Sequence, residues 1–280
     1  MPALTAPFDR IGARAVLHAV DLGSGAGTGV GADEPVILAS VVKVLIALEF
    51  ARQADAGQLD PADRVRVRAG DRLGGTGVSG FDDDVELSLR DLARLMMSVS
   101  DNTAADLLTE RVGTANLRSL AAELALEHTR IVGPPRAVVA AMSAELGDLG
   151  DAGLLLETAA YDPARTNSST PADCTRLLAA IWADRAGSPA ACGYVRRLMA
   201  GQADWHRIAS GFGDDAEVAA KSGTLPGLRN EIGVVALPDG GRYAVAVFAR
   251  LPVPHGRRLD ADAAIGRAAR AAVDALRHSP

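Results

Sequence analysis

The stretch SVVKVLIALEFARQADA, Ser40 to Ala56, decides how this chain is read. Lys43 lies in a run that is otherwise apolar from Val41 to Leu48. A segment apolar nearly all round is predicted to be a buried, central helix, here Val41–Ala56, ending near Gly57. A lysine in such a place must be paired or hold a lowered pKa, because burial penalises its charged form. Ser40 stands three residues before it, so on a helix the hydroxyl and the amine face the same way. A serine hydroxyl is a poor nucleophile until a base takes its proton. Ser40 also sits at the first turn, where free backbone N–H groups and the helix dipole favour negative charge. Taken alone, Ser-x-x-Lys is more often a helix cap followed by a snorkelling lysine, so the surroundings must decide.

Outward from this helix, strand patterns lie at both ends of the chain and helical patterns between them. Ala13–Asp21 is strand-like, and the glycine-rich Gly23–Gly31 turns the chain into a second strand. No G-x-G-x-x-G register fits there, so a β-hairpin is predicted rather than a dinucleotide loop. From Pro61 to about Ser188 the pattern is mostly helical. Leu87–Val99 is amphipathic with Ser88 as its cap, followed by Asn102–Val112 and Ala115–Ala125. Asp148–Pro171 reads as a long ordered loop, the kind that usually serves function. Pro171–Asp184 resumes as helix, with Thr170 capping and Pro171 in the first turn. Strands return at Ala216–Ser222, Glu231–Leu237 and Arg242–Ala249, with Asp239-Gly240 marking a hairpin, and Asp260–Arg277 closes the chain as a helix. The predicted fold is a two-lobe α/β enzyme. An antiparallel sheet of N- and C-terminal strands, flanked by helices, spans about 1–56 and 205–280. A helical lobe spans about 57–204, and the cleft between the lobes holds Ser40.

The bulk properties narrow the function. The 280 residues are 48% hydrophobic, enough for a sizeable core. With a net charge of −6 and no basic run, nucleic acid and anionic membranes are not expected partners. No uninterrupted apolar stretch is long enough to suggest a transmembrane helix. Met1–Arg14 lacks a basic segment followed by an apolar one, so the chain as written reads as cytoplasmic; a secreted protein whose leader had been removed would read the same. Cys174 and Cys192 make no disulfide framework and read as buried small hydrophobes. The five histidines, His18, His128, His206, His255 and His278, are scattered and no H-E-x-x-H occurs, so no zinc site is expected. A monomer acting on a small molecule without metal or organic cofactor is the expectation.

Two further motifs complete the chemistry. Ser100-Asp101-Asn102 lies between two predicted helices, and Lys221-Ser222-Gly223-Thr224 ends a predicted strand. Singly they are an ordinary helix start and an exposed strand end. Hydroxyls flanking a glycine beside a lysine can also bind a carboxylate, and Gly223 lets backbone come close to a substrate. The ordered set S-x-x-K, S-D-N, K-T-G marks class A β-lactamases and penicillin-binding proteins, and here Ser222 replaces the threonine while keeping a hydroxyl. On these residues the chain resembles the class A-like serine β-lactamases over nearly its full length. Gly74-Gly75-Thr76-Gly77-Val78 is similar to the family's glycine-rich stretch before the Ser-Asp-Asn helices. Asn167-Ser168-Ser169-Thr170-Pro171 resembles the exit of its omega loop, and Arg207-Ile208 with Gly211 resembles the segment before the third motif.

The resemblance implies a β-lactamase/transpeptidase-like fold and a set of roles. Ser40 would attack the carbonyl and become acylated, with Lys43 removing its proton directly or through water. Ser100 would pass a proton to the leaving nitrogen, and Asn102 would bond the substrate's side-chain amide and the Lys43 amine. Lys221 would support Ser100 and the substrate carboxylate, which Ser222 and Thr224 would bond. The backbone N–H groups of Ser40 and Thr224 would form the oxyanion hole, and Arg229 would add a carboxylate contact. One departure stands out. The family's Glu-x-x-Leu-Asn segment, whose glutamate activates the deacylating water, is missing between Glu145 and Pro171. Leu154 falls near the expected glutamate, Glu157 and Asp162 are the nearest acids, and Asn167 replaces an aspartate that usually bridges the loop. The expected function is therefore opening of a β-lactam or related cyclic amide through acyl-Ser40, with slow deacylation. An esterase on the same scaffold, or a penicillin-binding sensor or scavenger that is acylated once, are the alternatives.

Overall fold

Strands at the two ends of a chain can satisfy each other's backbone N–H and C=O groups by pairing edge to edge, and so present common faces for helices to cover. The computed structural model, which describes residues 4–146, 158–253, 256 and 258–278, has that arrangement. Strand β1 (Arg14–Asp21) pairs antiparallel with the hairpin partner β2 (Gly27–Val30) on one side and with β9 (Arg242–Arg250) on the other. With β7 (Glu217–Leu225) and β8 (Leu228–Ala236) they form a five-stranded sheet of order β2-β1-β9-β8-β7. The β1–β9 register runs from Arg14 opposite Arg250 to Asp21 opposite Tyr243, which sews the two ends of the chain together. Helices occupy the chain between the sheet-forming ends, the arrangement expected from the sequence.

The β7–β8 hairpin is longer than the sequence pattern suggests. Leu225 pairs with Leu228 across a two-residue turn, Pro226-Gly227, in which Gly227 has φ +72°. A positive φ of this kind favours glycine. The polar Arg229 and Asn230 interrupt the apolar pattern of β8 and hide its first turn. As a result, Lys221-Ser222-Gly223-Thr224 lies inside an edge strand, not at the end of one.

Apolar side chains on both faces of the sheet give two cores. One face packs on α9 (Leu259–Arg277), whose Ala261, Ala264, Ile265, Ala268, Ala272, Val273 and Leu276 recur at helical spacing and are buried. The other face meets α2 (Lys43–Asp55) and the helical lobe. Helix α2 is buried along most of its length and packs on α3 (Leu89–Ser98), α4 (Asn102–Val112), α5 (Thr114–Glu123) and α8 (Pro189–Ala200). It is the axle of that lobe, as an all-round apolar helix must be. Ser88 caps α3 by accepting from the Asp91 N–H at 3.2 Å. Thr170 caps α7 (Pro171–Trp182) through the Asp173 N–H at 3.1 Å, with Pro171 in the first turn. Two helices, α8 and α6 (Pro135–Leu146), are not resolved by the sequence pattern.

Two short ribbons place the connections around α2. β4 (Arg64–Val67) pairs with β5 (Val85–Ser88), and β3 (Val36–Ile37) pairs with β6 (Ser168–Ser169). The β3–β6 pair, extended by a bond from the Leu38 N–H to the Asn167 carbonyl at 3.0 Å, ties the loop exit to the residues just before Ser40.

Helix α4 starts on Asp101, whose carboxylate accepts from the Ala104 N–H at 3.0 Å and from the Val78 N–H at 2.7 Å while wholly buried. Asp101→Ala removes both the cap and the anchor of the 76–78 segment. Urea unfolding should show a loss of about 2 kcal/mol, the scale for a lost N-cap with a second charged hydrogen bond. A loss within experimental error of zero would contradict this account.

Candidate active site

Ser40 lies in a 3-10 turn, Ala39–Val42, that leads straight into α2 at Lys43. In 3-10 geometry residues three apart eclipse one another, so Ser40 stands directly over Lys43. Lys43 has no solvent exposure. Its Nζ lies 2.6 Å from the Ser100 carbonyl oxygen and 2.7 Å from Asn102 Oδ1, both of which accept from it, and 3.2 Å from Ser100 Oγ. Burial pushes its pKa well below the ordinary lysine value; the neighbouring Lys221 ammonium adds to this, and Asp101 and Asp106 oppose it. A neutral amine has two N–H groups and one lone pair. The two short bonds use the N–H groups, which leaves the lone pair for a hydroxyl.

The Ser100 carbonyl reaches Lys43 because Ser100 has φ +60°. A non-glycine residue held in that region costs of order 1–3 kcal/mol, so its surroundings must hold it there. The next residue, Asp101, does so by bonding α4 and the 76–78 segment at once. The glycine-rich stretch singled out from the sequence is thus the far side of the Asp101 clamp.

Across the cleft lies β7. Its Gly223 is needed for close packing: a Cβ there would stand 2.8 Å from the Leu38 carbonyl oxygen and 3.1 Å from Val41 Cγ2. The absent side chain lets the strand press against the Ser40 turn. Lys221 is fully buried and donates to the Ser222 carbonyl at 2.9 Å. Burial lowers its pKa to about 7; Glu231 opposes this, and Arg207 reinforces it. Strand β7 is an edge strand, and the Ser222 N–H is bonded outside the ladder, to Gln202 Oε1 at 2.5 Å. The period of two then puts the Thr224 N–H on the same open edge.

Thr224 is the meeting point of a second basic group. Arg207, buried, donates to Thr224 Oγ1 at 2.7 Å, to the Asn230 carbonyl at 2.7 Å and to the Gly223 carbonyl at 3.0 Å, with Asp262 at 2.8 Å balancing its charge. Arg229, expected from the sequence near the substrate carboxylate, donates instead to the carbonyls of Leu225, Leu228 and Gly256, with Asp262 at 3.8 Å. The sequence had marked Arg207 only as part of a matching segment.

Ser40, Lys43, Asn102 and Thr224 line one cavity with Ile37, Val42, Pro135, Val138, Leu225, Thr166 and Asn167. Among the described residues that wall contains no carboxylate. Asp162 is turned to its own loop, accepting from the Ala164 N–H at 2.9 Å, while Glu157 and Leu154 lie outside the described residues. Asn167 replaces a charged bridge with amide bonds: its Oδ1 accepts from Val132 N–H at 2.7 Å and its Nδ2 donates to the Gly133 carbonyl at 2.9 Å. Among the described residues no cluster of three or more His, Cys, Asp or Glu side chains is arranged for a metal. Both cysteines are free and buried. Among the described residues no helix is long and apolar enough to cross a membrane. One compositional signal points toward the site: of 29 Lys and Arg residues only Lys43 and Lys221 are lysines, and Lys43 lines the cavity while Lys221 lies on the strand that borders it.

A serine one turn before a buried lysine, faced by the open edge of an antiparallel sheet, is the arrangement that the class A resemblance implies. The chain belongs to the β-lactamase enzyme family, whose model matches residues 3–276. It is 32% identical to the β-lactamase regulatory protein BlaB of Streptomyces cacaoi, over 92% of this chain and 91% of that one. It is 29% identical to a β-lactamase of Amycolatopsis lactamdurans, over 98% and 86%. In structure it is similar to a β-lactamase from Sphaerobacter thermophilus, with a TM-score of 0.82, 28% identity, and 100% and 97% of the two chains covered. It shares its fold with PBP-A as well, at a TM-score of 0.79 and 22% identity, covering 99% and 97%.

With only two lysines, their titration can be followed directly. Lysine labelled with carbon-13 at Cε should give two resonances, both titrating below the ordinary lysine value, that of Lys221 near pH 7. Two resonances that titrate together near the ordinary value would contradict the buried-amine geometry.

Proposed function

We propose that the chain is a serine hydrolase that opens a β-lactam or related cyclic amide through an acyl-Ser40 intermediate, and that deacylation is the slow step. The observation that carries this reading is the Lys43 amine, buried, disfavoured as a cation, and one 3-10 turn from Ser40. Its lone pair takes the Ser40 proton as Oγ attacks the carbonyl carbon. The Oγ–C bond forms, the amide C–N bond breaks, and Ser100 Oγ gives its proton to the leaving nitrogen while recovering one from Lys43. The N–H groups of Ser40 and Thr224 hold the carbonyl oxygen as it gains charge; one such donor is worth roughly a hundred- to a thousandfold in rate. The Asn102 amide meets the substrate's side-chain amide. Ser222, Gly223 and Thr224 form the edge that receives the carboxylate, with Lys221 and Arg207 supplying positive charge behind it. Arg229 stands further back, against Asp262.

A second reading, a receptor that is acylated and stays modified, is favoured by two observations. The described part of the cavity wall holds no carboxylate to activate water, and the Streptomyces cacaoi relative is named a regulatory protein. Hydrolysis and sensing share the acylation step and differ in the fate of the acyl group.

Intact-mass spectra after mixing with a chromogenic β-lactam should show an adduct on Ser40 that forms faster than it is released. Steady turnover with no accumulated adduct would contradict slow deacylation, and turnover of an aryl ester without any β-lactam adduct would point to an esterase instead. Ser40→Ala should abolish the adduct. Lys43→Ala should slow acylation at least about a hundredfold, the scale for losing a general base, and an unchanged rate would rule out that role.

The acylation rate constant should also carry an alkaline limb for anionic substrates. As pH rises through about 7, Lys221 loses the charge that attracts a carboxylate, so reaction with a carboxylate-bearing β-lactam falls while that with an uncharged ester does not. Identical alkaline profiles for the two would contradict the assignment of Lys221.

A further inference from the structure

The open edge of β7 continues beyond the catalytic cleft. By the period of two, the N–H and C=O groups of Val218, Ala220, Ser222 and Thr224 all face away from β8. Thr224 belongs to the Ser40 cavity. Val218 and Ala220 instead line a second, larger groove bounded by Trp182, Trp205 and Phe212. An unpaired strand edge of this kind is a template for an extended chain.

Gln202 stands between the two. It is buried, its Oε1 accepts the Ser222 N–H at 2.5 Å, and its Nε2 donates to Glu231 Oε1 at 2.8 Å and to the Asp204 carbonyl at 3.0 Å. Glu231 lies opposite Ser222 in the β7–β8 register, and its other oxygen accepts from the Ile208 N–H at 2.5 Å. Every polar atom of the Gln202 side chain is therefore fixed, and the side chain occupies the place at Ser222 that the next residue of a strand-paired ligand would need.

We propose that Gln202 is a specificity-determining residue that ends the substrate subsite at Ser222. Acyl donors whose leaving group terminates there in a free carboxylate are accepted; donors whose leaving group continues as a peptide chain are rejected. The inference rests on the acyl-Ser40 reading of the site. A substrate carbonyl seated at the Ser40 and Thr224 N–H groups sends its leaving side along β7 toward Ser222. There a terminal carboxylate meets hydroxyls and nearby positive charge. A longer chain meets the Gln202 side chain, whose bulk fills the strand edge between Ser222 and the Ala220 groove.

The test uses two esters with the same acyl group. One has a hydroxy-acid leaving group with a free carboxylate; in the other that carboxylate is extended by an amide-linked dipeptide. In each, Ser40 Oγ bonds to the carbonyl carbon, the ester C–O bond breaks, and the leaving oxygen takes the proton that Ser40 lost. The rate of Ser40 adduct formation is read by intact mass for the unsubstituted protein, Gln202→Ala and Gln202→Met, each with its melting temperature. The unsubstituted protein should prefer the carboxylate-ended ester by at least about tenfold, within the range a single pocket contact provides. Gln202→Ala should narrow the preference below about threefold, through faster reaction of the extended ester. Gln202→Met fills the same length without the amide and should keep the preference. A folded Gln202→Ala with the preference intact, or equal loss in both variants, would overturn the inference. Equal rates for both esters in the unsubstituted protein overturn it alone, whereas no Ser40 adduct from either overturns the acyl-Ser40 reading as well.

Discussion

A single amine kept in an apolar interior is the constraint on which the rest of the site depends. The Lys43 ammonium is expensive to bury, and its N–H groups must still find acceptors. The Ser100 carbonyl and Asn102 Oδ1 supply them, at 2.6 and 2.7 Å. The carbonyl can point there only because Ser100 is held at φ +60°, a conformation its own chemistry disfavours. That conformation is held in turn by Asp101, which binds α4 and the 76–78 segment together. A strained turn, a buried cap and a glycine-rich loop in the helical lobe are thus successive supports for one nitrogen atom.

The opposite wall of the cleft is built by the sheet. Pairing of β1 with β9 brings the chain ends together, and the longer β7–β8 hairpin carries Lys221 to the lobe boundary. Gly223 allows the edge strand to touch the Ser40 turn, so backbone from both lobes meets at the nucleophile. Two buried positive groups, Lys221 and Arg207, then lie behind a strand edge that exposes donors and hydroxyls. Asp262 balances the charge of Arg207, while burial disfavours the charged forms of both Lys221 and Glu231, lowering the one pKa and raising the other.

The sheet at the chain ends, the central helix and most of the helical lobe were legible because period and caps speak locally: Ser88, Asp101 or its neighbours, Thr170 and Pro171 all mark helix starts. The β7–β8 turn was harder to read, since Pro226-Gly227 is followed by Arg229 and Asn230, whose polarity suits the interior of the site and not an ordinary strand. Helix α6 was not separated from the stretch that reads as mostly helical, and α8 was missed, for a related reason. Their ends, Pro135 and Ser188-Pro189, sit in stretches whose proline and glycine content reads as loop. The three motifs could be found because chemistry restricts the residue types at those positions. Arg207, Gln202 and Glu231 were not singled out for their contacts because each acts across strands: only folding puts Gln202 on the Ser222 N–H. The scarcity of lysine was available in the sequence and was the clearest unused sign of where the chemistry lies.

The central claim is that a neutral Lys43 amine activates Ser40. The most direct measurement compares two titrations of one protein: the acid limb of the Ser40 acylation rate with an uncharged acyl donor, and the protonation of Lys43 followed by its own carbon-13 signal. The account predicts that the two midpoints coincide, with acylation rising as the ammonium disappears. Acylation that stays constant across the Lys43 transition, or that falls as the amine becomes neutral, would contradict it.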